Sequence, residues 1–384
     1  MKTIFIFIYG YIPGTGYGGP VSSISNFVEY FGDEYDIRIV TSNHDHGKRE
    51  VYANIRDGWN RIGKASVLYL DEREYTRKNF YSLLKEYDVS MVYLTGVFSI
   101  RLNKPAIDSA RKLNIPVVVA TRGEICINIL AMKKLKKVTY LKIMKTLRYF
   151  NGLKFQITSD EEYVQLQKYL SIPNEEIIML PNLHGKKYSV SPLAKEVNEL
   201  KLLFISRIHP KKNLLDALKA VVKLNARVVF DIYGPVEDEA YWNQCQEIIK
   251  QAGEHIQVRY CGLLNMMDAR KIYYNYHGFL FPTLSENYGH VIVEAMIANC
   301  IPMISKETTP WDDLHGNGGY VFELHNIEQM IDQLESFAAM SQEEYDVMLN
   351  QLENYTQEKL KINDLLLRYK QMIHGESNSL AIPN

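Results

Sequence analysis

The 384-residue sequence offers no cysteine pattern. Cys126, Cys245, Cys261 and Cys300 stand far apart, with no CxxC and no Cys/His spacing, so neither a zinc site nor a disulfide framework is expected. A reducing cytoplasm is the setting that fits. Charge of either sign is not in excess, because 44 basic and 45 acidic side chains leave a net charge of -1. That balance argues against nucleic acid as a partner of the whole chain. No apolar run is long enough to span a bilayer. The opening MKTIFIFIYG has one lysine, a short apolar run and no small-residue cleavage site, so it reads as a first buried strand rather than a secretory signal. Internal repeats and low-complexity tracts are missing too. One local absence stands out: no acid lies between Glu124 and Asp160, while Lys133, Lys134, Lys136, Lys137, Lys142, Lys145, Arg148 and Lys154 all fall there.

What is present is an ordinary globular composition, 46% hydrophobic and 23% charged, in a chain long enough for two cores. Short β-branched or aromatic runs alternate with helical patterns, the sequence form of βα units feeding a mainly parallel sheet. Strands are predicted near 3–9, 36–42, 67–70, 90–95, 116–121, 155–159 and 176–180. A second series falls near 201–208, 227–234, 256–262, 277–283, 301–305 and 318–323. Between the series, PNLHGKKYSVSPLAKE breaks both periodicities with Pro, Gly and Ser, which places a linker from Pro181. The expected architecture is α/β, with two doubly wound Rossmann-like domains over 1–184 and 185–355. Ser341 and Glu344 have the spacing of a capping box for a late helix.

Three segments can carry chemistry. PGTGYGGP follows the first strand and precedes a helical pattern; Gly14, Gly16 and Gly19 satisfy GxGxxG. Glycines let the backbone approach a ligand and a helix N-terminus favours phosphate. No acid closes the second strand, so the motif leaves open a nicotinamide dinucleotide site, a tight structural turn, or another phosphate-facing loop. In FISRIHPKKN, Arg207 and Lys212 flank a strand-to-helix turn, where two cations could neutralise a diphosphate or simply face solvent. In SENYGHVIVEAM, Glu286 precedes a helix starting near Gly289 and Glu294 sits in its second turn. Carboxylates accept hydrogen bonds from sugar hydroxyls. The amides of Asn287, Tyr288 and Gly289 at the helix start suit phosphate oxygens. Each acid alone could be an ordinary helix residue, yet VIVEAMIA is apolar nearly all round Glu294, and burying an unpartnered acid is costly.

Taken together, FPTLSENYGHVIVEAMIANCIPMIS with its E-x7-E spacing, SRIHPKKN, GYGGP and the TPW segment of ISKETTPWDDL followed by GNGGYVFE resemble GT-B glycosyltransferases of the retaining family 4, the glycosyl transferases group 1. The similarity spans nearly the whole C-terminal half. It implies a GT-B fold with an N-terminal acceptor domain, a C-terminal donor domain, and a last helix at about 356–373 returning to the first. It further implies that Arg207 and Lys212 hold the donor diphosphate, Glu286 the transferred sugar and Glu294 the ribose. Gly18 and Gly19 would meet the diphosphate from the other domain, and Gly234 and Gly262 would lie near the base. The implied donor is a UDP-sugar or GDP-sugar, with no cofactor and no metal.

The chain departs from the family pattern at two places. ATRGEIC stands where many relatives place a histidine, so Arg122 and Glu124 are expected at the cleft. His290 replaces an apolar residue, and either solvent or the donor could be its neighbour. The basic segment 132–148, interleaved with apolar residues, could be a solvated helix or could settle on anionic lipid at about 1 kcal/mol per near-surface cation. The leading expectation is therefore a transferase of cell-surface polysaccharide synthesis, cytoplasmic or peripheral on the inner membrane face. A catalytically silent nucleotide-sugar-binding protein and an NAD-dependent oxidoreductase are the alternatives.

Overall fold

The computed structural model describes residues 1–14, 19–45, 47–131, 134–264, 271–286 and 288–376. The chain divides into two compact units, one built from residues 1–183 plus the segment that starts at Ile362, the other from His184–Lys361.

The first unit holds an eight-stranded sheet. Its strands are β1 Thr3–Phe7, β2 Asp36–Ser42, β3 Trp59–Ile62, β4 Ala65–Leu70, β5 Val89–Thr95, β6 Val117–Ala120, β7 Lys154–Ile157 and β8 Ile177–Met179, in the order β3-β4-β2-β1-β5-β6-β7-β8. Every pairing is parallel except β3 with β4. All five residues of β1 are buried, the expected consequence of helices covering both faces of a parallel sheet. Phe7 packs on Phe80 with ring centroids 4.9 Å apart, inside a cluster that also holds Phe5, Leu94, Leu102 and Phe155.

Strand β3 was not expected. Its four residues are too few to show alternation, and it exists because Gly63, at φ +57°, and Lys64 close a two-residue hairpin onto β4. The last helix, expected over about 356–373, begins later, at Ile362, and runs to His374; residues 356–360 are the end of the preceding helix, Gln342–Leu360. Lys361 separates them in the left-handed region at φ +40°, its N–H bonded to the Gln357 carbonyl at 3.1 Å. No Gly or Pro marks that break, so the second unit runs to Lys361 rather than ending near 355. The segment beyond it belongs to the first unit. Tyr369 is buried against Phe27 and Phe31 and donates to the Pro181 carbonyl at 2.9 Å, while Lys370 pairs with Glu34 at 2.8 Å.

The second unit is a six-stranded, wholly parallel sheet: β9 Glu199–Ile205, β10 Arg227–Tyr233, β11 Ile256–Gly262, β12 Gly278–Phe281, β13 Ile301–Ser305 and β14 Tyr320–Phe322, ordered β11-β10-β9-β12-β13-β14. Residues 181–196 contain no helix or strand, as the Pro, Gly and Ser content of that linker foretold. The Ser341 and Glu344 capping box forms at the start of the helix Gln342–Leu360. In each sheet the chain reverses its direction of winding beside one strand. β1 lies between β2 and β5; β9 lies between β10 and β12. The carboxyl ends of those strands are where doubly wound sheets bind ligands. No helix among the described residues is long and apolar enough to cross a membrane.

Candidate functional site

In the second unit, the loops that leave β9 and β12 at this reversal carry the first cations and the first acid. After β9, Pro210–Lys212 form one 3-10 turn, capped by His209, whose Nδ1 accepts from the Lys211 N–H at 3.2 Å. Asn213, left-handed at φ +56°, then starts the helix Leu214–Val221. The Lys211 carbonyl binds the loop after β12 twice, through the Leu284 N–H at 2.9 Å and the Thr283 hydroxyl at 3.2 Å. That register sets the Lys212 ammonium against Glu286 Oε1 in an ion pair, with only 12% and 20% of the two side chains exposed. The ammonium also lies 5.6 Å from the centre of the Phe281 ring. Glu286 is fixed through its backbone N–H, which donates to the Thr308 carbonyl at 2.7 Å.

Arg207 points elsewhere. One guanidinium nitrogen donates to both oxygens of Glu237, at 3.0 and 2.9 Å, in a pair that is largely exposed. Glu237 comes from the loop after β10, and its N–H bonds the Ile208 carbonyl at 3.2 Å. The strand ends are tied together beneath it: the Gly234 N–H donates to the Gly262 carbonyl at 2.9 Å and the Tyr260 hydroxyl to the Gly234 carbonyl at 2.8 Å. Gly234, at φ +139°, passes so close to Ser206 that any Cβ would collide with that residue's carbonyl. Gly262, at φ +76°, has open space instead.

Gly289 takes φ +73° and opens the helix His290–Ile297, whose Ile292, Val293, Ala295, Met296 and Ile297 are buried. The partner demanded by an acid in so apolar a helix is Tyr273, whose hydroxyl donates to Glu294 Oε2 at 3.3 Å. Burial first, and the Glu294 charge second, push the Tyr273 phenol well above its ordinary pKa, so it remains a donor. Tyr288 is held at both ends. Its carbonyl accepts from the Trp311 indole, and its hydroxyl pairs with His184 Nε2 at 2.9 Å. The His184 and Tyr288 rings stack nearly parallel, at 9° with centroids 5.5 Å apart, and His290 sits against Tyr288 with centroids 5.1 Å apart. Burial, with the His290 charge as a second cause, brings His184 down to about 3. Asn287 lies outside the described residues.

In the first unit, Gly19 begins the helix Gly19–Phe31, and nothing lies within 4 Å of where its Cβ would be. Gly18 lies outside the described residues. Beside this helix start, a cavity of about 150 Å³ is lined by Ile8, Tyr9, Gly10, Pro20, Thr95, Gly96, Ser99, Arg122 and Glu124. The turn bearing the last two is left-handed at Arg122 and Gly123, with φ +53° and +77°. It is held by Glu162, a fully buried carboxylate that accepts from the Gly123 N–H at 2.6 Å, the Thr158 N–H at 2.7 Å and both the Thr158 and Thr121 hydroxyls. Arg122 donates to the Tyr93 hydroxyl at 2.9 Å and to Asn182 Oδ1. Glu124 accepts from the Val97 and Phe98 N–H groups at 2.6 and 3.1 Å, beneath Gly96, whose φ of +84° and missing Cβ make room for it. Burial raises the Glu124 carboxyl above its ordinary pKa, against the pull of those two amides.

The structure thus joins Lys212 to Glu286 and places Arg122 and Glu124 on one cavity, while Arg207 turns to Glu237 and Glu294 to Tyr273. The sequence reading had missed Glu237, Tyr273, Glu162 and His184, whose roles arise from folded neighbours without a motif. Trp311 lay in the quoted TPW segment, yet its bond to Tyr288 had no signal of its own.

Residues 188–359 match the family model described as glycosyl transferases group 1. Over 132 residues the chain is 23% identical to the O-antigen chain mannosyltransferase B of Escherichia coli, a match that covers 33% of each protein. Among solved structures, Anabaena HepE in complex with UDP and glucose superposes with a TM-score of 0.62 at 12% identity, covering 98% of this chain and 100% of that one. WaaG, a glycosyltransferase involved in lipopolysaccharide biosynthesis, gives 0.59 at 14% identity, with 97% and 100% covered. At these identities the structural likeness establishes the fold, which is the GT-B type with two Rossmann-like domains.

Proposed function

We propose, from the premise that this chain carries a glycosyl transferases group 1 domain over residues 188–359, that it moves a sugar from a nucleotide diphosphate donor to an acceptor during polysaccharide biosynthesis. The observation that carries this reading is the Lys212 and Glu286 pair at the point where the second sheet reverses its winding. An ammonium for a diphosphate and a carboxylate for sugar hydroxyls there occupy one spot, the spacing a nucleotide sugar presents. Arg207 and Lys212 neutralise the diphosphate and stabilise it as it leaves; Glu286 binds the transferred sugar and Glu294 the ribose. The backbone at Asn287, Tyr288 and Gly289 receives phosphate oxygens. Gly234 and Gly262 flank the base, and Gly18 and Gly19 are assigned to phosphate binding. Arg122 and Glu124 face the acceptor side.

The transfer retains anomeric configuration. The glycosidic bond to the diphosphate lengthens first, the charge on the departing phosphate is met by Lys212 and Arg207, and a phosphate oxygen takes the acceptor hydroxyl's proton on the same face. Glu286 is then a binding group and not the nucleophile of a two-carboxylate mechanism. Side-chain cations and helix amides carry the electrostatic work in this scheme, with neither metal nor cofactor assigned a step. UDP or GDP is the nucleotide, a choice to which the HepE complexes with UDP and UDP-glucose lend weight for UDP. The acceptor is a saccharide or a lipid-linked saccharide, and the acid-free basic segment gives the protein a means of meeting the cytoplasmic face of a membrane.

Thermal-shift titration with UDP, GDP, ADP and their sugars tests the donor, since a specific ligand stabilises by mass action. One nucleotide and its sugar should raise the melting temperature. Binding followed by no turnover on any acceptor would make this a silent nucleotide-sugar-binding protein, and stabilisation by nicotinamide dinucleotides alone would overturn the transferase reading.

A further inference from the structure

The loop after β13 grips the segment after β12 at two backbone points. The Thr308 hydroxyl donates to the Ser305 carbonyl at 2.9 Å, and the Thr309 hydroxyl accepts from the Trp311 N–H at 3.2 Å. Thr308, Thr309 and Trp311 are all buried. From this turn the Thr308 carbonyl takes the Glu286 N–H at 2.7 Å, and the Trp311 indole N–H donates to the Tyr288 carbonyl. The Trp311 and Tyr288 rings also meet edge to face, with centroids 5.3 Å apart.

The grip on Tyr288 decides where the next amide points. In a trans peptide the carbonyl and the following N–H lie in one plane and are opposed. A Tyr288 carbonyl turned to Trp311 therefore sends the Gly289 N–H the other way. Gly289 sits at φ +73°, and a glycine lets the peptide before it rotate at little steric cost. The Tyr288 side chain is already fixed by His184, through the ring stack and the bond to Nε2 at 2.9 Å. What could still turn is the 288–289 peptide, and the indole stops it. Among the described residues no acceptor takes the Gly289 N–H, although Gly289 is buried. A buried backbone N–H normally has a partner.

We propose that Trp311 is a positioning residue, which by fixing the Tyr288 carbonyl presets the Gly289 N–H for an oxygen of the donor diphosphate. The inference rests on the reading that the diphosphate meets this loop, and adds the residue that aims the amide. An amide set before the ligand arrives needs no reorientation on binding, and its bond to a charged oxygen is the stronger for it.

Two substitutions separate aim from packing. Trp311→Phe keeps an aromatic ring and removes the N–H. Trp311→His loses similar volume, but its Nε2 takes the position of the indole nitrogen in the five-membered ring and can donate in its place. Calorimetric titration with UDP and GDP, beside uridine and guanosine at millimolar concentration, reads the outcome. For the diphosphate that the natural chain binds, Trp311→Phe should lower affinity about tenfold and leave its nucleoside unaffected, with Trp311→His recovering much of the loss. Equal weakening of diphosphate and nucleoside, no recovery by Trp311→His, or natural affinity in Trp311→Phe would each overturn the proposal. A natural chain that binds neither diphosphate would sink the transferase reading, and this inference with it. A measurement on the natural chain covers variants that do not fold. The Trp311 indole proton, one of three in the sequence, should exchange slowly with solvent both before and after the diphosphate is added. Slow exchange only after addition would show that the grip forms on binding, against a preset amide.

Discussion

Lys212 and Glu286, 74 positions apart in the chain, meet as an ion pair at the carboxyl edge of the second sheet. Sequence reasoning assigned the two to different parts of a ligand; the fold makes them neutralise one another first. An ammonium has three N–H donors, so Lys212 can hold the carboxylate and still reach a phosphate oxygen. In the proposed donor complex the pair would hold Glu286 beside the phosphate that the ammonium binds.

Removing either member should separate their duties. Lys212→Ala is expected to lower kcat about 10² to 10³-fold, the scale seen when one preorganised charge is lost from a transition state. Glu286→Gln keeps a hydrogen-bonding shape and should spare nucleotide affinity while reducing transfer. Calorimetric titration with the free nucleoside diphosphate, beside turnover of the nucleotide sugar, checks both. Weakened nucleotide binding by Glu286→Gln but not by Lys212→Ala would reverse the assignment.

Arg207 and Glu237 form the contrasting pair. Both are substantially exposed, so the contact is worth about 0 to 1 kcal/mol to stability. If Arg207 must leave Glu237 to reach the diphosphate, Glu237→Gln removes a competitor. Its melting temperature should barely change, and nucleotide affinity should rise severalfold at low salt. Arg207→Ala should weaken affinity, and an Arg207→Ala variant that binds and turns over like the natural protein would remove Arg207 from the site.

Two glycines test whether a ligand, and not the fold, requires a missing side chain. Gly19 has open space around its absent Cβ and lies at a helix start, so Gly19→Ala should fold with unchanged or slightly higher stability. A loss of transfer in that variant would then report on a bound diphosphate. Gly234→Ala should behave oppositely, because its φ of +139° and the Ser206 carbonyl leave no room. It should express poorly or melt several degrees lower, whatever its effect on chemistry. Equal behaviour of the two variants in a melting scan would contradict this division.

How much of this was legible beforehand follows from what each signal encodes. β2, β11 and β13 have the bounds read from the sequence. In β13 all five residues are buried and the apolar run admits one register, whereas β11 is a mostly exposed edge strand whose end is marked by Gly262. The helix His290–Ile297 likewise starts where Gly289 allows a left-handed residue. The Lys361 break escaped notice because KLKIND carries no punctuation; it becomes visible only through Leu360 and Tyr369 burying in different units. Motif spacing singled out Lys212, Glu286 and Glu294 as candidates but gave no sign of Glu237, Tyr273 or Glu162, the groups that pack beside the candidate residues. Those partners come from other loops and strands, and nothing in a single sequence says which distant acid or phenol will arrive beside a given side chain.

His277 supplies a stability prediction with a worked sign. Its Nδ1 accepts from the Lys201 N–H at 3.0 Å, and its Nε2 faces the Ala194 carbonyl at 2.9 Å, so the two partners select one neutral tautomer. Protonation would set a second N–H against that of Lys201. Burial, the largest cause, and the nearby Lys195 and Lys201 charges bring the pKa down to about 4, against the Ala194 carbonyl, which raises it. A folded pKa below the unfolded value of about 6.5 means that the unfolded chain takes up the proton more readily. The stabilising contribution is therefore complete above about pH 6.5 and is lost as the pH falls toward 4, at up to about 1.4 kcal/mol per pH unit. His184, brought down to about 3, acts in the same direction. Urea unfolding followed at pH 7.5, 6.0 and 5.0 should show stability declining with acid. His277→Gln should be less stable at pH 7.5 and lose less on acidification, with part of the slope remaining through His184. An acid slope identical to that of the natural protein would show that His277 does not titrate between its folded and unfolded states.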